Sequence, residues 1–158
     1  MMDMILWRHA EAEDWPEGDP QASSDMDRSL TARGEKQAAR MVVWLDRQLP
    51  EGARIVVSPA RRCEQTALAL GRKYRLRPEI APGASPAQLL ELVQWPFSKS
   101  PVLVIGHQPT LGQTIAQLLA LQESDCPVKK GSLWWLRNRD RDGQVKTVVV
   151  TVQSPEIL

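Results

Sequence analysis

The sequence predicts an α/β fold, a three-layer α/β/α sandwich around a mostly parallel sheet with a C-terminal β-hairpin. Three observations predict it. Short apolar runs of the buried-strand type alternate with segments of helical period. Each run passes into polar residues before the next helix begins, as strands feeding crossover helices do. Near the end of the chain the pattern changes to β-branched and Trp-rich segments flanking Asp140-Arg141-Asp142-Gly143, which reads as a hairpin.

Taken in order, Met4 to Trp7 is the first strand. A long loop follows. From Ala10 to Asp27 it holds seven acids (Glu11, Glu13, Asp14, Glu17, Asp19, Asp25 and Asp27) and no Lys or Arg, with Pro16, Gly18 and Pro20 breaking any helix. Thr31 caps a helix running to about Leu49, with Ala38, Met41, Val42, Leu45 and Leu49 on one face. Arg54 to Ser58 is the second strand, Ala60 to Tyr74 the second helix, and Arg77 to Ile80 a short third strand. Ser85, Pro86 and Gln88 make a capping-box start for a helix to Val93, and Thr110 with Gln113 a second one for a helix to about Leu121. Between them Val102 to Gly106 is the fourth strand, and Ser132 to Asn138 with Gln144 to Gln153 form the hairpin. No linker or repeat divides the chain, so residues 1–158 are expected to form a single domain.

Composition excludes several functions. With 20 Lys or Arg against 19 Asp or Glu the formal charge is +1, which argues against a partner held by neutralising nucleic-acid phosphates. Cys63 and Cys126 cannot build a disulfide framework, and with only His9 and His107 beside them they lack zinc-motif spacing. The N-terminal run MMDMILWRHA is acidic at Asp3 and broken by Arg8, so it is neither a signal peptide nor a membrane span. A cytoplasmic protein is expected, with no nucleic-acid or membrane partner.

Both histidines sit in equivalent places. His9 follows the first strand and His107 the fourth, and carboxyl ends of parallel strands converge on one crevice. A histidine in a cap or turn is the plain alternative for either one alone. Arg61 and Arg62 open the helix after the second strand, where a cation opposes the helix dipole unless an anion lies between; a solvated pair on an exposed turn is the competing reading. Arg8, His9, Arg62 and His107 together suit a phosphoryl group: two guanidiniums for its oxygens and an imidazole that, with an ordinary pKa of about 6.5, is neutral and nucleophilic at cytosolic pH. No metal or other cofactor is required, because arginines take the part of Mg²⁺ in spreading the oxygens' charge.

Four pieces in this order resemble the histidine phosphatase superfamily, named for its Arg-His-Gly motif, and within it the small SixA-type protein phosphohistidine phosphatases. They are Arg8-His9-Ala10, Leu30-Thr31-Ala32-Arg33-Gly34, Ser58-Pro59-x-x-Arg62-x-x-Gln65-Thr66-Ala67 and Gly106-His107-x-Pro109. The resemblance implies that His9 accepts the phosphoryl group, that Arg8 and Arg62 clamp its oxygens, and that His107 donates to it. Arg28, ahead of the Leu-Thr pair, is a further candidate for substrate binding. A phosphate or sulfate ion is expected to bind there, and the implied substrate is a protein bearing phosphohistidine, in signal transduction or phosphotransfer.

Two departures stand out. Ala10 replaces the motif glycine, which is harmless where φ is negative. No acid stands after Ile80-Ala81-Pro82-Gly83-Ala84-Ser85 or beside His107, where the larger superfamily members place one, and Gln108 is an amide. An alkoxide leaving group needs a general acid worth about 10² to 10⁴ in rate. The imidazole of phosphohistidine matches the attacking His9, so its transfer is nearly thermoneutral and tolerates a weak proton source. A phosphatase of small phosphate monoesters and a phosphate- or phosphoprotein-binding module without turnover are the alternatives. The acidic loop reads either as a solvated loop or as a rim that repels small polyanions. Trp15 could anchor a partner or pack beside Pro16; Trp134 and Trp135 point to opposite sides of a strand; Cys63 reads as packing.

Overall fold

The apolar runs become strands because both of their faces are covered. In the computed structural model, which describes residues 1–15 and 24–158, six strands form one sheet: Met2–Arg8 (β1), Arg54–Val57 (β2), Arg75–Leu76 (β3), Val102–Gly106 (β4), Leu133–Arg141 (β5) and Gln144–Gln153 (β6). Their order is β3-β2-β4-β1-β5-β6. The pairs β3-β2, β2-β4 and β4-β1 are parallel; β1-β5 and β5-β6 are antiparallel. This is the mostly parallel sheet with a C-terminal hairpin that the sequence predicts.

Side chains alternate across each strand, and the four helices divide accordingly. Ile5 and Trp7 of β1 join Met41 and Leu45 of Ala32–Gln48 (α1) and Cys63 and Ala67 of Arg61–Leu70 (α2). Met4 and Leu6, pointing the other way, join Leu89 and Val93 of Pro86–Val93 (α3) and Leu111 and Ile115 of Thr110–Leu118 (α4). At about 1.5–3 kcal/mol for each large apolar side chain removed from water, this two-sided burial outweighs any cap or surface ion pair. Trp135 lies in the first of these clusters, edge-on to Trp44, and Trp134 packs on the second. Among the described residues no helix is long and apolar enough to cross a membrane.

The helix starts follow their caps. Thr31 Oγ1 accepts from Gly34 N at 2.9 Å, and Ser85 and Gln88 exchange the reciprocal bonds of a capping box, 3.1 and 2.9 Å. The start of α4 departs from expectation. Pro109 holds the cap position, and Thr110 Oγ1 donates instead to Ala84 O at 2.7 Å; Gln108 Oε1 accepts from Gly112 N at 2.6 Å. The helix ends at Leu118.

Two further boundaries move. α2 stops at Leu70 rather than Tyr74 because Gly71, with φ 70°, takes the left-handed conformation that closes a helix. The third strand is Arg75–Leu76, and Pro78–Ile80 is a 3₁₀ turn, since Pro78 has no N–H for a ladder. In the hairpin the strands run on through Arg141, and Asp142 and Gly143, at φ 54° and 78°, make the two-residue turn, both positive as a type I′ turn requires.

The segment after β1 is bound to the start of α1. Thr31 N donates to Glu11 O at 3.0 Å and Glu13 N to Ser29 O at 2.8 Å, around a bridge between Ala12 and Leu30. Gly34 permits this contact, because a Cβ there would lie 2.0 Å from Glu11 O. Gly34→Ala is therefore expected to lower unfolding stability by about 1–3 kcal/mol, read from the urea midpoint. Gly52→Ala, which meets nothing within 4 Å, should leave it within about 0.5 kcal/mol.

Candidate active site

Strand register places the two histidines side by side. Arg8 of β1 pairs with Gly106 of β4, so His9 and His107 are each one residue beyond the same rung, on strands about 4.8 Å apart. Their rings lie 5.3 Å apart at a 59° tilt. Val57 of β2 pairs with Ile105, which brings Ser58 level with Gly106 and starts α2 beside both rings. His9 and His107 are buried, within a cleft of about 270 Å³ lined also by Arg8, Arg28, Arg62 and Lys130.

Arg62, in the first turn of α2 and 3 % exposed, joins the parts. Its Nε donates to His9 Nε2 at 3.4 Å and its Nη2 to His107 Nδ1 at 3.3 Å. On the guanidinium's other edge Nη1 donates to Asp25 O at 2.9 Å and Nη2 to Asp25 Oδ2 at 3.1 Å. The Arg62-Gln65-Thr66 spacing also ties loops to the helix: Gln65 Oε1 accepts from Leu30 N at 2.7 Å, and Thr66 Oγ1 accepts from Ala10 N at 3.2 Å while donating to Arg62 O at 2.8 Å.

The hydrogen bonds fix the tautomers. His9 Nδ1 faces Ala10 O at 2.8 Å; a carbonyl only accepts, so Nδ1 carries the proton and Nε2 presents a lone pair to the cleft. His107 Nδ1 accepts from Arg62, so its Nε2–H donates to Ser58 Oγ at 2.7 Å, which also accepts from Ala60 N at 3.3 Å. Burial, with the Arg62 and Arg8 guanidiniums nearby, pushes His9 down to about 3, against the upward pull of its hydrogen bond to Ala10 O. Burial and Arg62 likewise push His107 down to about 4, against a smaller upward pull from Asp25. Both rings are neutral at pH 7.

Arg8 Nη1 donates to Val128 O at 2.8 Å, and its buried Nε has no partner among the described residues. Arg28 reaches the cleft wall, but its Nε is committed to Asp25 Oδ1 at 2.9 Å and its Nη1 to Glu13 O at 3.0 Å. Arg61 is exposed and lies off the cleft. Ala10 is fully buried, and non-glycine positive φ among the described residues is confined to Gln94, Ala120 and Asp142, so the missing glycine costs no strain there. Cys63 Sγ lies 3.5 Å from His107 Nε2, and burial pushes its thiol up to about 12: it packs. A larger groove, about 1140 Å³, runs along the amino end of β2, but it holds no histidine. Its Arg72 is spent on Asp46, Leu49 and Pro50.

Three residues of this site escape sequence reasoning. Asp25 was one acid among seven, and nothing in its spacing announces an arginine 37 positions on. Lys130 approaches only because the segment before β5 wraps β1, with Trp7 Nε1 donating to Gly131 O and Gly131 N to His9 O. Ser58 lies in the Ser58-Pro59-x-x-Arg62 motif, whose spacing does not show that its hydroxyl meets His107. Of the loop's other acids, Asp14 lines the cleft, Asp27 accepts from Ser24 N at 3.1 Å, and Glu17 and Asp19 fall outside the described residues. Trp15 is largely exposed.

Comparison with known proteins identifies a family. The family model of the histidine phosphatase superfamily (branch 1) matches residues 4–85. A phosphohistidine phosphatase SixA homolog of Haemophilus influenzae is 30% identical over 99% of this chain and 98% of its own. The structure of a putative phosphohistidine phosphatase SixA from Nakamurella multipartitia superposes with a TM-score of 0.77 at 28% identity, over 98% of this chain and 96% of that one. A protein histidine phosphatase SixA complexed with tungstate gives 0.75 at 27%, over 99% of each chain. With three of the four motifs lining one cleft, the fourth bound beside it through Leu30 N to Gln65 and Thr31 N to Glu11 O, and the match spanning nearly the whole chain, the protein belongs to the histidine phosphatase superfamily, as a small SixA-type member.

Proposed function

We propose that the protein is a phosphatase that removes the phosphoryl group from phosphohistidine on a protein, through a phospho-His9 intermediate. The observation that carries this reading is the His9 tautomer: Nδ1–H is held by Ala10 O, so the Nε2 lone pair points at the guanidinium of Arg62 in a cleft 5.3 Å from the second imidazole. A nucleophile so fixed needs no base to activate it.

In the proposed first step His9 Nε2 attacks phosphorus, the bond from phosphorus to the substrate imidazole breaks, and that imidazole leaves neutral with a proton from solvent. Water then attacks phospho-His9, releasing phosphate and restoring the ring. Arg62 and Arg8 take the phosphoryl oxygens, and the orphaned Arg8 Nε gains an acceptor. For His107 to donate, its proton must move from Nε2 to Nδ1: the Ser58 hydroxyl rotates to donate to Nε2, and Arg62 Nη2 gives its hydrogen to a phosphoryl oxygen in place of Nδ1. The SixA names of the relatives and the tungstate held by one of them support an oxyanion in this place. Lys130 and the open cleft suit a phosphorylated side chain presented on a protein surface. The free thiols of Cys63 and Cys126 fit a cytoplasmic setting.

Rapid quenching with labelled phosphohistidine protein should trap a label on the enzyme that is acid-labile, alkali-stable and absent in His9→Ala. An alkali-labile acyl phosphate would sink the proposal. Arg62→Ala and His107→Ala should each lower turnover by about 10² or more; turnover within about threefold of the parent would remove that residue from the mechanism.

The depressed histidines also predict how stability responds to acid. Both bind fewer protons folded than unfolded, so stability is complete above the unfolded value of about 6.5 and falls as pH drops toward the folded values of about 4 and 3. Each costs up to about 1.4 kcal/mol per pH unit across that window. Proton NMR should show neither imidazole resonance titrating above pH 5, and urea midpoints should fall between pH 6.5 and 5. A midshift near 6.5 for either ring would contradict the burial seen here.

A further inference from the structure

We propose that Asp25 is a positioning residue for Arg62, holding the guanidinium so that its Nε–Nη2 edge faces the two histidines; the proposal rests on the phosphatase reading above. One edge of Arg62 is directed at His9 Nε2 and His107 Nδ1. The other edge is taken entirely by Asp25, through its backbone carbonyl to Nη1 and its carboxylate to Nη2. A guanidinium turns about its last bonds unless both edges are engaged, and bidentate acceptance from one residue fixes its plane.

Asp25 is itself held. It opens the 3₁₀ turn Asp25–Asp27, which Ser24 and Asp27 close with side-chain bonds. Its second carboxylate oxygen accepts from Arg28 Nε at 2.9 Å, and Arg28 Nη1 reaches back to Glu13 O at 3.0 Å. The chain of contacts therefore runs from the segment after β1, through Arg28 and Asp25, to Arg62 and both rings. Arg28 thereby acts on the cleft through a carboxylate.

Two other tasks for Asp25 fit less well. As a proton donor it would need to be protonated, yet Arg62 and Arg28 outweigh its partial burial and hold the carboxyl below its ordinary value. As an internal substitute for the phosphoryl group it would have to occupy the edge facing the histidines, and it occupies the opposite one. An oxyanion between the rings leaves the Asp25 contact intact.

The test is a double-mutant cycle on the full chain, read by turnover of a phosphohistidine protein and by orthovanadate inhibition. Asp25→Ala is expected to lower kcat and weaken vanadate about 10-fold each, on the scale of a charge-assisted hydrogen bond, with Asp25→Asn in between because it keeps an acceptor for Nη2. In an Arg62→Ala background the same Asp25→Ala change should alter either quantity by less than about twofold. Equal losses in both backgrounds, or an Asp25→Ala enzyme indistinguishable from the parent, would overturn the proposal. Should the parent itself not turn over phosphohistidine, the phosphatase reading fails separately, and inorganic phosphate affinity by calorimetry across the same four variants still decides whether Asp25 acts through Arg62.

Discussion

The parallel pairing of β1 with β4 is the constraint on which the rest depends. Both strands are covered on each face, so the apolar side chains of β1 are divided between two helix pairs and cannot slip by one residue without exchanging their surroundings. That register sets Arg8 opposite Gly106 and delivers His9 and His107 to one place. Two residues nearly a hundred positions apart become neighbours through a ladder whose stability comes from Val, Ile, Leu and Trp, with no polar residue needed to bring them together.

Around this pair the protein concentrates positive charge where it is costly. Arg62 is almost wholly buried and Arg8 half so, and burial together with Arg62 lowers the Arg8 pKa. The surroundings offset part of that cost with backbone carbonyls: Val128 O for Arg8 and Asp25 O for Arg62. Burial first, and these charges after it, keep both imidazoles neutral. Stability and the proposed chemistry thus pull on the same groups, since a phosphoryl group offsets the repulsion between the two guanidiniums.

Much of this was legible in the sequence because its signals are local. A run such as Val102 to Gly106 reads as a buried strand, Thr31 and Ser85 announce helices by chemistry within three residues, and a histidine directly after each of two parallel strands points to one crevice. The failures were local signals overridden. Gly71 closes α2 before the helical pattern fades, Pro78 keeps the Arg77–Ile80 stretch out of the ladder, and Thr110 spends its hydroxyl on Ala84 O across α3 and α4 instead of capping its own helix. Arg28 lines the cleft, and its pairing with Asp25 is carried by no motif.

The sequence by itself determined the fold class and the alternating burial of the strands, because strand period and capping chemistry are written in neighbouring positions, and motif order pointed to His9, Arg8, Arg62 and His107 as one group, which line one cleft. Only the tertiary structure decided the ring tautomers, the orientation of Arg62 and the place of Asp25 beside it. Those depend on which donor or acceptor lies within hydrogen-bonding distance of a given nitrogen, and that is set by how separate segments pack, which no spacing along the chain encodes.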